Sequence, residues 1–129
     1  VFTSPASSIL IVDDNRLNRV VFRNLLKATG VKVYEAGSGA ECLDMIKKQH
    51  FDIVFMDYMM PEMDGVMTFG KMKETEHMCK ESPVIMLTAN AVQGAMEEYL
   101  EQGFADFLSK PIIPEKLEKM IIKYLKKTD

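Results

Sequence analysis

The chain has 129 residues, 47% of them hydrophobic and 27% charged, which fits one globular domain and excludes a disordered tract. Sixteen basic residues against nineteen acidic ones leave a net charge of −3, without the clustered basic excess that direct nucleic-acid binding requires. Two cysteines, Cys42 and Cys79, are too few for a disulfide framework or a cysteine zinc site, and no apolar run approaches the roughly 20 residues of a membrane span.

The opening stretch, residues 1–8, is rich in Ser, Pro and Ala and lacks a basic-then-apolar leader, so it reads as a linker or trimmed edge of a longer protein. Ile9-Leu10-Ile11-Val12 is a continuous apolar run, the pattern of a strand covered on both faces, and it stops at Asp13-Asp14. From Asn15 to Thr29, Leu17, Val20, Val21, Leu25 and Leu26 recur at helical spacing, and Gly30 is suited to end that helix. Val31 to Glu35 alternates apolar and polar residues, which predicts an edge strand. Ser38 with Glu41 forms a capping-box signature for a helix to about Gln49.

A second apolar run, Phe51 to Met56, ends at Asp57, and Pro61, Asp64 and Gly65 mark a loop before a weaker helix over Val66 to Glu76. Val84 to Leu87 is a third run, ending at Thr88. A helix from about Ala91 to Gln102 stops at Gly103. Phe107-Leu108-Ser109 is a short last strand ending at Lys110-Pro111. A final helix runs from about Pro114 to Lys127, with Leu117, Met120, Ile121, Tyr124 and Leu125 on one face.

Five strand–helix units predict an α/β domain: a five-stranded parallel sheet with helices on both faces, a doubly wound (βα)5 arrangement of the flavodoxin-like kind. Four strands finish in residues able to do chemistry, Asp13/Asp14, Asp57, Thr88 and Lys110; the second finishes in none, which places it at an edge and implies the order 2-1-3-4-5. Three converging carboxylates repel one another unless a cation sits among them, and all-oxygen ligands favour Mg²⁺ or Mn²⁺. An ammonium and a hydroxyl beside a carboxylate are what phosphoryl transfer needs, the carboxylate serving as nucleophile.

Taken singly, these residues have plainer readings: an Asp pair after a strand is a helix cap, a lysine is a surface charge, and Thr88 is an N-cap. Gly37-Ser38-Gly39 lacks the third glycine of a dinucleotide loop, since that position holds Cys42. The eleven methionines read as core filler with some adaptable surface, the two cysteines as unpaired thiols, and His50 and His77 as ordinary polar positions.

Together, Ile9 to Asn15, Met56 to Gly65, Leu87 to Ala91 and Phe107 to Pro111 make the chain resemble the receiver domain of two-component response regulators, from Ile9 to about Leu125, with a domain boundary drawn at 9–127. Val12-Asp13-Asp14-Asn15 with Asn18-Arg19, and Leu87-Thr88-Ala89-Asn90-Ala91, resemble most the receivers of hybrid sensor histidine kinases. The resemblance implies that Asp57 accepts a phosphoryl group from a phosphohistidine of a histidine kinase or histidine phosphotransfer domain. It implies that Asp14, Asp57 and the Met59 carbonyl bind Mg²⁺, with Asp13 acting through water, and that Lys110 and Thr88 meet the phosphoryl oxygens. It further implies that Thr88 and Phe107 form a switch, that Met59 and Asn90 tune hydrolysis, and that the Lys110–Pro111 bond is cis. A cytoplasmic signalling module that makes no membrane contact is expected, with a dimer or partner surface on the fourth helix, fifth strand and fifth helix. An aspartyl-phosphate phosphatase is the competing enzyme reading, weakened because Met59 stands where such enzymes place a second aspartate. The third reading is a binding module indifferent to phosphate.

Overall fold

A computed structural model describes residues 2–89 and 92–125. The elements run β1 (Ser8–Val12), α1 (Arg16–Leu25), β2 (Lys32–Ala36), α2 (Gly39–Lys48), β3 (Ile53–Asp57), α3 (Gly65–Glu74), β4 (Val84–Thr88), α4 (Gln93–Glu101), β5 (Asp106–Ser109) and α5 (Pro114–Leu125). All strands are parallel and the order is β2-β1-β3-β4-β5, with β2 at the edge as its alternating sequence predicted.

The three central apolar runs are buried along their length because both faces are covered, and their alternation sorts the core into two layers. Leu10, Val12, Val54, Met56, Val84 and Met86 point to the layer closed by α2, α3 and α4 through Ile46, Met72 and Tyr99. Ile9, Ile11, Ile53, Phe55, Ile85 and Leu87 point to the layer closed by α1 and α5 through Phe22, Leu26, Leu117 and Ile121. No helix among the described residues is long and apolar enough to cross a membrane.

Several elements depart from the sequence expectation. The first helix stops at Leu25; Lys27–Thr29 tighten into a 3-10 turn that ends at Gly30, whose φ of 75° lies in the left-handed region that glycine tolerates. Within α1 Phe22 is buried, and Leu26 just past its end continues that face, while Leu17, Val20 and Val21 face outward. The Ser38 hydroxyl accepts from the Glu41 N–H as a capping box requires, but the Glu41 carboxylate accepts from the Gly37 N–H (2.6 Å), one residue earlier than the standard box. Within residues 2–8, the Ser4 N–H bonds the Thr29 carbonyl (2.7 Å) and Phe2 packs against the α1–α5 layer. The expected start of α4 at Ala91 and the end of α5 at Lys126 and Lys127 lie outside the described residues.

Candidate functional site

Parallel strands in register bring their carboxyl ends to one rim. Val12 lies beside Met56, Asp57 beside Leu87, and Thr88 beside Ser109, so the residues that follow or finish β1, β3, β4 and β5 share a crevice. Carboxylate oxygens of Asp13, Asp14 and Asp57 come within 4.8 Å of one another. Asp13, Asp57 and Thr88 are buried, and Asp14 is exposed.

Each member is held by local structure. The Asp13 Oδ1 accepts from the Asn15 N–H (2.9 Å) and its Oδ2 from the Asn18 Nδ2 (3.3 Å), which closes the turn from β1 into α1. Asn15 itself caps α1, accepting from the Asn18 N–H. The Tyr58 N–H bonds the Leu87 carbonyl and the Gly65 N–H bonds the Tyr58 carbonyl (both 2.9 Å), so the loop after Asp57 folds back on itself. Gly65 lets α3 start directly against the Asp57 carbonyl; a Cβ there would collide with that backbone. The Lys110 N–H bonds the Thr88 carbonyl (2.9 Å), and the peptide bond to Pro111 is cis as expected.

Lys110 crosses the crevice. Its Nζ lies 2.6 Å from Asp57 Oδ1 and 3.5 Å from Asp13 Oδ2. Burial pushes the Asp57 carboxyl above the ordinary carboxylate value; the Lys110 hydrogen bond and charge oppose this, while the charges of Asp13 and Asp14 reinforce it. Burial also works against the Lys110 ammonium, but the bond to Asp57 and the charges of Asp57 and Asp13 outweigh it, so its pKa rises. The net result is an Asp57 carboxyl whose ionised form is disfavoured, chiefly by burial and further by the two neighbouring acids. All-oxygen donors this close suit a hard divalent cation.

The other expected site residues fall as follows. Met59 lies in the loop after β3 with its side chain 70% exposed, beside the crevice. Phe107 is half-buried on β5, packed against the α2–α4 layer and lining a cavity of about 290 Å³ with Lys116, Lys119 and Lys123 of α5. Asn90 lies outside the described residues. Sequence reasoning assigned no site role to Gly65 or Asn18. Gly65 stands beside Asp64, which caps α3 by accepting from the Met67 N–H, and the Asp-Gly pair was the signal available for it.

The response regulator receiver domain model matches residues 9–122. The polar-differentiation response regulator DivK of Brucella abortus is 36% identical over 118 residues, covering 92% of this chain and 95% of DivK. The signal transduction histidine-protein kinase BarA of Shigella flexneri is 34% identical over 119 residues, 92% of this chain but only 13% of BarA. The receiver domain of sensor histidine kinase PA1611 from Pseudomonas aeruginosa, solved with magnesium coordinated in its active-site cleft, superposes with a TM-score of 0.82 at 30% identity, over 93% of this chain and 98% of that one. Strand-end acids, a lysine beside the buried aspartate and this match over nearly the whole chain agree: the chain belongs to the response regulator receiver domain family.

Proposed function

We propose that Asp57 takes a phosphoryl group from a phosphohistidine on a histidine kinase or histidine phosphotransfer domain, and that the modified chain offers a partner a changed surface. The observation that carries this reading is the Lys110 ammonium 2.6 Å from a buried Asp57 whose oxygens share a 4.8 Å cluster with Asp13 and Asp14. The donor set fits Mg²⁺ or Mn²⁺. Asp14, Asp57 and the Met59 carbonyl would hold the ion directly and Asp13 through water, in keeping with both Asp13 oxygens already accepting hydrogen bonds. Bound there, the ion supplies positive charge that offsets the carboxylate repulsion and the charge of a transferring phosphoryl group.

An Asp57 carboxylate oxygen forms a bond to phosphorus while the P–N bond of the donor breaks, its electron pair returning to the imidazole. Lys110 neutralises the phosphoryl oxygens, and the Thr88 hydroxyl donates a hydrogen bond to one of them. Phe107 follows Thr88, biasing the α4-β5-α5 face, where we place partner docking or a dimer. Met59 and Asn90 set how readily water reaches the phosphoryl group, as the family resemblance implies. The exposed Leu17, Val20 and Val21 of α1, with a cavity of about 450 Å³ that reaches Asp13 and Lys110, form the landing place for the donor. We draw the receiver at residues 9–127 and place it in the cytoplasm, where a histidine kinase presents its phosphohistidine.

Incubation with Mg²⁺ and a small phosphodonor, acetyl phosphate or phosphoramidate, followed by intact mass measurement, tests the reading. One phosphoryl group on the native chain, none on Asp57→Asn or in excess chelator, and at least about tenfold slower labelling of Lys110→Ala are expected. Equal labelling of Asp57→Asn would overturn it.

A further inference from the structure

Arg19 lies on α1 outside the acid cluster, yet it grips the backbone that carries it. Its Nη1–H donates to the Asp13 carbonyl at 2.7 Å, and its Nε–H donates to Glu35 Oε1 at 2.9 Å. Glu35 sits near the end of β2, and its second oxygen accepts from Arg23 Nε (3.0 Å) and Nη2 (2.8 Å). Arg19 is thereby braced from the edge strand; its side chain is only 16% exposed.

The Asp13 carbonyl belongs to the rigid peptide unit that leads into Asp14. The N–H of Asp13 is already fixed to the Ala36 carbonyl (3.1 Å), and its carboxylate to Asn15 and Asn18. With the carbonyl held as well, the Asp13–Asp14 peptide keeps one orientation. Asp14 is exposed, so its carboxylate takes its direction from this backbone rather than from packing around it.

We propose that Arg19, braced by Glu35, is a positioning residue: it fixes the peptide between Asp13 and Asp14 and so raises the affinity of the acidic cluster for a divalent cation. This rests on the cluster being the Mg²⁺ site. Charge alone gives the opposite sign. A guanidinium beside three carboxylates repels a cation, so its removal by charge alone would tighten Mg²⁺ binding. Held geometry gives weaker binding on removal, as when the outer partners of metal ligands are lost.

The test is calorimetric titration of Mg²⁺ into the native chain, Arg19→Ala and Arg23→Ala at constant ionic strength. Amide hydrogen exchange at Asp13, whose N–H bonds the Ala36 carbonyl, is read in the metal-free proteins alongside. Arg23→Ala removes the same charge from the same helix and a contact to the same Glu35, but Arg23 does not reach Asp13. Arg19→Ala should weaken Mg²⁺ about tenfold and speed exchange at Asp13. Arg23→Ala should stay within about twofold of native and leave Asp13 protected. Equal or tighter Mg²⁺ binding by Arg19→Ala, or equal weakening by Arg23→Ala, overturns the positioning role while leaving the metal site standing. A native chain that takes up no Mg²⁺ overturns the metal site and the positioning role with it.

Discussion

Lys110 and Asp57 share one hydrogen bond but respond oppositely to their surroundings. The raised Lys110 pKa means that its contribution to stability is present at neutral pH and is lost only as pH climbs through that raised value, above 10.5. The raised Asp57 pKa has the reverse consequence: its ionised form is disfavoured in the fold even with Lys110 in place, so Asp57 weakens the metal-free domain at pH 7. That penalty fades as pH falls through the folded value toward 3.8, where the carboxyl takes up its proton. Asp57→Asn is therefore expected to unfold at a higher temperature than the native chain at pH 7 without metal, with the difference shrinking on acidification toward pH 4. Paired thermal melts across that range check it, and a less stable Asp57→Asn at pH 7 would contradict it.

At the scale of elements, α3 is the helix whose start matters to the site and whose middle does not. Gly65 stands against the Asp57 carbonyl, whereas a Cβ at Gly70 meets no atom within 4 Å. Gly65→Ala is expected to cost about 1–3 kcal/mol, because the clash is with backbone and must move either α3 or Asp57. Gly70→Ala is expected to stabilise by about 0.5–1 kcal/mol through the entropy of the unfolded chain. Urea denaturation of both measures the contrast, and equal effects would contradict the close approach.

Element by element, β1, β3 and β4 were legible because their apolar runs are continuous, and the residues that end them declared the site. The buried face of α1 was not: Leu17, Val20 and Val21 have helical spacing, but Phe22 and Leu26 at i and i+4 are the pair that Phe55 and its neighbours cover, and spacing alone does not say which stripe meets the sheet. The early end of α1 was hidden because the Thr29 hydroxyl bonds the Leu26 carbonyl (2.6 Å), a side-chain contact that tightens the last turn. Arg19 was visible only as part of a sequence motif, since its partners, the Asp13 carbonyl and Glu35, meet it through tertiary packing.

For the whole molecule, the sheet holds the acids at the ends of β1 and β3 and the hydroxyl and ammonium at the ends of β4 and β5 at one rim, and the proposed function assigns the change to the face built by α4, β5 and α5. Phe107 stands between the two regions: it lies on β5, just before Lys110, and lines the cavity bordered by the lysines of α5. Thr88 and Phe107 sit on neighbouring strands in register, Met86 beside Phe107 and Thr88 beside Ser109, which is the adjacency the proposed switch uses. The most direct measurement of this arrangement is a crystal structure of the domain with Mg²⁺ and beryllofluoride. Beryllium bonded to an Asp57 oxygen, Lys110 Nζ and Thr88 Oγ each on a fluoride, and Mg²⁺ between Asp14 and Asp57 are expected; beryllofluoride seated elsewhere, or Lys110 turned away from it, would contradict a shared phosphoryl cleft at the strand ends.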